Sequence, residues 1–230
     1  MRVDHVDGLA QPLAYCRRLS QALHGRAGRR PDTLAGMPPW RLVEKILAHD
    51  ERLDERWAVD GTTGYDFMDK VTGVLHDPDG EAPLTACWHR LARDARPVHA
   101  WRRAARARMV SHHFCAERDA LLALLGALTD ADLQTHDVTR RSLGRALDRL
   151  LIEFEVYRTY ASLDERTAHD TTWLKRARDR ARAWLLEDHD LAGARALEFV
   201  SDCLLGRTKK LTETSVPAAP RLNDAHYHDL

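Results

Sequence analysis

Two short apolar runs near the N-terminus, each interrupted by a carboxylate, constrain the fold of this chain most strongly. The first is Arg2-Val3-Asp4-His5-Val6, and the second, from Trp40 to Leu47, follows a Pro-Pro break and contains Glu44. Both have the length and the branched apolar content of buried strands. Between them, apolar residues at helical spacing predict a helix from Leu13 to Leu23. A strand, a helix and a second strand in this order predict a parallel βαβ unit.

The chain changes character near residue 82. Residues 1–81 contain most of the turn-forming glycines and prolines. Beyond them, Ser162-Leu163-Asp164-Glu165 fits a capping box, and Asp170 is predicted to be the N-cap of the helix at 174–185. The tail, 212–230, has no apolar period and is predicted to be loop or frayed end. Apolar residues recur at helical spacing in stripes at 101–110, 121–128, 138–154, 174–185 and 197–204.

Composition excludes several classes of function. The chain has 35 Lys and Arg against 35 Asp and Glu, which argues against a nucleic-acid binder driven by overall charge. No apolar run approaches the roughly 20 residues that a membrane span needs, and the N-terminus lacks the apolar core of a secretory signal. The four cysteines form no CxxC pair, which is typical of reduced thiols in a cytoplasmic protein. We therefore expect a cytoplasmic protein without a nucleic-acid or membrane partner.

Two other groups of residues are weak candidates for a site. His112, His113 and Cys115, and likewise His226, His228 and Asp229, resemble metal ligands but lack a second half at ligand spacing, so we expect no metal. No glycine-rich phosphate loop is present, and we expect no cofactor. Residues 89–118 carry eight arginines against two acidic residues. Such a basic helix can bind phosphates, but it is more often a solvated face.

Asp4 and Glu44 are the two carboxylates that best fit catalytic chemistry. Each lies at or near the end of a predicted strand, and active sites collect at the carboxyl ends of parallel strands. Two carboxylates on neighbouring strands can divide the acid and nucleophile roles of a retaining glycosidase. Arg2 points to the same side of its strand as Asp4 and could keep that carboxylate ionised. The alternative is a structural Arg2–Asp4 pair together with a salt bridge between Glu44 and Lys45.

The residues in and around these two runs resemble the motifs of a known family. The run Arg2-Val3-Asp4-His5-Val6-Asp7-Gly8-Leu9 resembles the second signature region (R-x-D) of the alpha-amylase superfamily, and more narrowly that of the maltooligosyl trehalose synthase family. Four further stretches are similar to motifs of that family and follow in the same order. They are V-E-K-I-L at 43–47, V-D-G-T-T-G-Y-D-F at 59–67, T-R-R at 139–141 and V-Y-R-T-Y at 156–160.

The resemblance implies an α/β fold, namely a partial (β/α)8 barrel segment containing strands 4 and 5 with a large, predominantly α-helical insertion. We accordingly predict a barrel segment at 1–81, a helical insertion at 82–211 and an irregular tail at 212–230. A complete barrel needs about 250 residues. The family's D-x-V-x-N-H and K-G-x-E-D-T motifs are not found here. We therefore expect the middle segment of a synthase, from a truncated or split gene, that is inactive alone.

The resemblance also implies an activity and its residues. The family converts the reducing-end α-1,4 linkage of a maltooligosaccharide, an α-glucan, into an α,α-1,1 linkage, which serves trehalose biosynthesis. Asp4 would be the nucleophile and Glu44 the general acid and base, and Asp224 lies roughly where a third carboxylate would fall. The missing barrel segments, or a trehalose-releasing hydrolase that acts on the product, are the protein partners implied. The substrate-binding residues implied are Arg2, His5, Lys45, Tyr65 and Asp66.

Alternatives remain for the whole chain and for single residues. The chain could be another alpha-amylase-type hydrolase or glucanotransferase, although V-D-G-T-T-G-Y-D-F favours the synthase. It could instead be a non-catalytic helical interaction module that binds a partner through its basic helix. Gly64-Tyr65-Asp66 could be only a turn, and Lys45 could be only a partner for Glu44.

Overall fold

The computed structural model describes residues 1–34, 36–161 and 166–207. These residues form two compact units. The first contains the described residues of 1–95 and 155–162, and the second contains those of 96–154 and 163–230.

A small parallel sheet organises the first unit. Its strands β1 (Arg2–Val3), β2 (Leu42–Val43) and β3 (Gly61–Thr62) lie in the order β1-β2-β3. The register pairs Val3 with Val43 and Val43 with Thr62. Helix α1 (Pro12–His24) connects β1 to β2, so the predicted βαβ unit is confirmed, with shorter strands than expected. The sequence did not predict β3, because a glycine–threonine pair lacks the apolar run by which a strand is recognised.

The core of the first unit is small and comes from distant parts of the chain. Val6, Cys16, Val43 and Trp57 are its buried residues, each 1% exposed or less. Tyr160 reaches this core from the segment that returns after residue 154, and its ring meets that of Trp57 edge to face at 5.0 Å. The return segment is therefore part of this unit's packing, although it lies far away in the sequence.

Two helices that follow β3 contain no buried residue. Helix α2 (Tyr65–Val74) begins after Gly64, and a turn at Pro78–Gly80 leads into α3 (Glu81–Ala92). Gly64 has φ 102°, which lies in the region that favours glycine. The interpretation of Gly64-Tyr65-Asp66 as only a turn is therefore wrong, because Tyr65 and Asp66 form the first turn of a helix. The sequence did not predict α2.

The regular secondary structure in the described part of the second unit is all helical, and turns such as the one between α5 and α6 join the helices. Helix α4 (Val98–Arg108) continues through a π-helical turn at Met109–His113 into the region of α5 (Cys115–Asp130). Helices α6 (Arg140–Glu153), α7 (Ala168–Glu187) and α8 (Leu191–Leu204) pack on one another. Their fully buried members include Leu143, Ala181 and Leu197. Burial of these apolar faces stabilises the helices more than their intrinsic propensity does.

The start of α7 corrects one prediction. Its N-cap is Thr167, whose Oγ1 accepts a hydrogen bond from the Asp170 backbone N–H at 3.0 Å. The Asp170 carboxylate accepts one from the Thr167 backbone N–H at 3.0 Å. Asp170 is therefore the third residue of a capping box and not the N-cap, because the side chain of Thr167 occupies that role. The predicted capping box at 162–165 and the predicted loop at 212–230 lie outside the described residues.

Candidate functional site at the strand ends

The two predicted catalytic carboxylates follow adjacent strands. Asp4 and Glu44 are each the next residue after the paired Val3 and Val43, so the parallel register brings them to the same edge of the sheet. The Glu44 backbone N–H donates to the Val3 carbonyl at 2.8 Å. The Glu44 carboxylate in turn accepts a hydrogen bond at 2.9 Å from the backbone N–H of His5. The loop after β1 is thus bound directly to the carboxylate after β2.

Arg2 lies at this edge as a partner of Asp4. Its Nε is 2.5 Å from Asp4 Oδ1, and the two side chains are each 59% exposed. The hydrogen bond to Asp4 raises the pKa of Arg2 most, and the charges of Glu44 and Tyr65 raise it further. Asp4, Glu44 and Tyr65 are therefore each within electrostatic reach of Arg2. Because both side chains are exposed, they are accessible to a ligand. An exposed ion pair of this kind contributes little to the stability of the fold.

His5 is held in an unusual backbone conformation. Its φ is 50°, in the left-handed region, where histidine is more common than most residues. A Cβ added at Gly8 would lie 2.3 Å from His5 Nε2. Only a glycine therefore allows the imidazole to lie against this turn. The sequence D-H-V-D-G consequently sets the side-chain placement of an exposed histidine at the edge that carries Asp4.

The first turn of α2, which follows β3, contributes Tyr65 and Asp66. The Thr62 hydroxyl donates to Asp66 Oδ1 at 2.5 Å and accepts from the Gly64 backbone N–H at 3.2 Å. The hydrogen bond from Thr62 lowers the pKa of Asp66. A carboxylate at the start of a helix is also favoured by the helix dipole. Asp66 therefore stabilises the start of α2, and the partly exposed Tyr65 is close enough to Arg2 to contribute to its raised pKa.

Lys45 does not lie on the exposed edge. Its side chain is 2% exposed, and its Nζ is 2.8 Å from Glu51 Oε1 and 3.7 Å from Asp7 Oδ1. The interpretation of Lys45 as a partner for Glu44 is therefore wrong: its carboxylate partners are Glu51 and Asp7. A buried ammonium is stable only when paired in this way. The sequence suggested Glu44 as the partner because it is the neighbouring residue, whereas Asp7 and Glu51 approach Lys45 only in the folded chain.

Asp7, Lys45, Glu51, Arg158 and Tyr160 form an ionic cluster that the sequence did not predict. Lys45 and Glu51 are buried, and the other three are partly buried. Arg158 Nη1 donates to the backbone carbonyls of Asp7 and Leu9 at 3.1 and 2.9 Å. The Tyr160 hydroxyl donates to the Asp7 carboxylate. Burial first, and then this hydrogen bond, raise the pKa of Tyr160. The only sequence signal was the match to V-Y-R-T-Y, which carried no role by itself.

The remaining candidates form no second site in the part of the chain that the structure describes. No group of three or more His, Cys, Asp or Glu residues there is placed to hold a metal ion. Asp224 and the histidines at 226 and 228 lie outside the described residues. No helix within the described ranges is long and apolar enough to cross a membrane. One shallow pocket of about 250 Å³ is lined by His24, Arg30, Leu34, Gly36, Met37, Pro38 and Pro39, none of them a strand-end residue.

Solved structures that resemble this chain come from one class of enzyme, synthases named for a glycosyltrehalose product. A maltooligosyltrehalose synthase from Arthrobacter ramosus matches with a TM-score of 0.64 and 29% identity over 88% of this chain and 22% of that chain. A glycosyltrehalose synthase matches with a TM-score of 0.54 and 25% identity over 85% of this chain and 23% of its own. No family model matches the chain.

Curated relatives agree with the structural neighbours. Proteins from two strains of Mycobacterium tuberculosis, CDC 1551 and H37Rv, carry the name maltooligosyl trehalose synthase, which was assigned to them by inference. They are 29% identical to this chain over 96% of its length, which is 28% of theirs. The chain is therefore similar to a segment of the maltooligosyl trehalose synthases and spans about a quarter of the length of these relatives. The similarity extends beyond residue 165, where the recognisable motifs end.

Proposed function

We propose that the chain is a segment of a maltooligosyl trehalose synthase, to whose active site it contributes Asp4 and Glu44. One observation carries the proposal: the parallel register of β1 and β2 brings both carboxylates to one edge, where the His5 backbone N–H binds Glu44. The substrate is a maltooligosaccharide. The product carries an α,α-1,1 linkage at its end, in place of the reducing-end α-1,4 linkage.

The reaction needs two carboxylates with different roles. Asp4 attacks the anomeric carbon of the penultimate glucose, and the bond from that carbon to the leaving glucose breaks as the Asp4 ester forms. Glu44 gives its proton to the leaving oxygen. After the released glucose turns, Glu44 takes the proton of its anomeric hydroxyl, and that oxygen displaces Asp4. The carboxyl groups of such retaining enzymes lie about 5–5.5 Å apart, and exclusion of water makes the result an isomerisation.

The other strand-end residues take supporting roles in this proposal. Arg2 orients the Asp4 carboxylate, since its Nε is 2.5 Å from Oδ1. His5 and Tyr65 are proposed to contact the reducing-end sugars, supported by their exposure at the edge. Asp66 is proposed to bind sugar while it accepts the Thr62 hydrogen bond. The burial of Lys45 favours an indirect role for this residue over a contact with sugar.

The sheet is proposed to be part of a (β/α)8 barrel, with β1 and β2 as its strands 4 and 5 and the helices of the second unit as an insertion. The remaining barrel segments are the proposed protein partner. Helices α2 and α3 support this, because they bury no residue yet expose apolar side chains that include Phe67 and Leu84, each 70% exposed. Contiguous exposed apolar surface marks an interaction site. A cytoplasmic trehalose-releasing hydrolase would consume the product.

The proposal is tested with the purified 230-residue chain, maltopentaose and a polypeptide that carries the rest of a synthase. We expect maltopentaose to shift NMR resonances at His5 and Glu44, and we expect a trehalose-ended product only after the second polypeptide is added. Asp4→Asn and Glu44→Gln should then each abolish that product, whereas Asp79→Asn, in the turn before α3, should not. Glucose release without the trehalose-ended product would indicate a hydrolase.

Two other outcomes would overturn the proposal. Formation of the trehalose-ended product by the chain alone would contradict its incompleteness. A lack of both maltopentaose binding and complementation would leave a helical interaction module as the better interpretation, since such a module has no reason to bind the sugar.

A further inference from the structure

We propose that Tyr160 is a positioning residue, which holds the loop after β1 against the end of β2 and so fixes Asp4 relative to Glu44. The catalytic consequence rests on the function proposed above. The positioning itself rests on contacts in the described chain and is tested separately.

The first step concerns the loop after β1. Tyr160 donates its hydroxyl hydrogen bond to the side chain of Asp7, while Arg158 donates to the backbone carbonyls of Asp7 and Leu9. Arg158 and Tyr160 therefore bind this loop through its main chain and through the side chain of Asp7. Asp7 lies in the 3-10 turn Val6–Gly8, for which His5 is the N-cap residue, so a displacement of Asp7 would move His5 and the adjoining Asp4.

The second step connects this loop to β2. The Lys45 ammonium lies between Glu51 Oε1, at 2.8 Å, and Asp7 Oδ1, at 3.7 Å. Lys45 directly follows Glu44, and its Nζ also lies 5.3 Å from the centre of the Tyr160 ring. The ends of both strands are therefore joined through the Asp7–Lys45 pair, with Tyr160 in contact with each partner. A second, exposed link between the two strand ends is the hydrogen bond from the His5 backbone N–H to the Glu44 carboxylate.

The third step concerns the hydroxyl group. The Tyr160 ring packs edge to face on Trp57, which is 1% exposed. Tyr160→Phe keeps the ring that makes this packing and the contact with Lys45, and removes the hydroxyl that donates to Asp7. A partly buried carboxylate such as Asp7 is less firmly held when it loses a hydrogen-bond donor. The expected consequence is a looser loop after β1 rather than a collapsed core.

The test measures hydrogen exchange of the His5 amide by NMR in the intact chain. In Tyr160→Phe we expect this amide to exchange about tenfold faster than in wild type, the scale of one hydrogen bond to a charged group. Tyr157→Phe is the matched control, because Tyr157 is 67% exposed, and it should leave the rate unchanged. Cys16→Ala, which destabilises the same core from α1, controls for a general loss of stability.

The outcomes separate positioning from a merely structural role. If Tyr160→Phe and Cys16→Ala, compared at equal unfolding free energy, accelerate His5 exchange equally, Tyr160 is only structural and the proposal is overturned. A selective increase in Tyr160→Phe, with a changed resonance of the Glu44 carboxyl carbon, supports it. Maltopentaose titration then tests the proposed function independently. Positioning without sugar binding would disprove the function alone, and weaker binding in Tyr160→Phe would join the two.

Discussion

Gly64 and Gly73 place opposite demands on the backbone of one helix. Gly64 precedes α2 with φ 102°, where an L side chain is strained, whereas Gly73 lies inside α2 with open space around the position of a Cβ. We expect Gly64→Ala to destabilise α2 by about 1–2 kcal/mol. Gly73→Ala should stabilise the helix by about 0.5 kcal/mol. Hydrogen exchange of the α2 amides measures both effects, and a change of the same sign in the two variants would contradict this account.

The positions of Asp4 and Glu44 at adjacent strand ends were predictable from the sequence, and the reason is local. Asp4 and Glu44 stand out because a carboxylate in a short apolar run is recognisable without knowledge of any partner. The partners of Lys45 were not predictable in this way. Asp7 and Glu51 meet Lys45 only when the chain has folded. Tyr160, which also contacts Lys45, follows α4, α5 and α6 in the sequence and is separated from Lys45 by more than a hundred residues. Periodicity carries no information about such contacts.

At the level of elements, the cap of α7 allows a direct measurement. The side chains and backbones of Thr167 and Asp170 exchange two hydrogen bonds, and Asp170 is buried. Thr167→Ala should therefore lower the free energy of unfolding by about 1 kcal/mol. Thr172→Ala is the matched control, because Thr172 is exposed within the same helix and alanine has the higher helix propensity. Chemical denaturation compares the variants, and equal losses would show that the cap contributes nothing special.

The helices were more predictable than the strands because their signal is longer. The stripe at 174–185 predicted a helix that the structure extends to Ala168–Glu187, and only its start was misplaced, from Thr167 to Asp170. The strands β1, β2 and β3 have two paired residues each, too few for alternation to appear. Helix α2 escaped because glycines surround and interrupt it, and glycine in a sequence favours a turn.

For the whole molecule, the two compact units have separate cores, and this predicts two unfolding steps. Leu197 is fully buried in the core of the second unit and Val43 in that of the first. Leu197→Ala should cost the second unit about 2–5 kcal/mol, and Val43→Ala should cost the first about 2 kcal/mol. Each substitution should lower the midpoint of one transition in scanning calorimetry and leave the other in place. A single transition that both variants shift equally would show instead that the units fold as one. In that case a substitution at Tyr160 would destabilise the whole chain. Calorimetry should therefore precede the hydrogen-exchange comparison at His5, because it shows whether the effect of Tyr160→Phe is confined to the first unit.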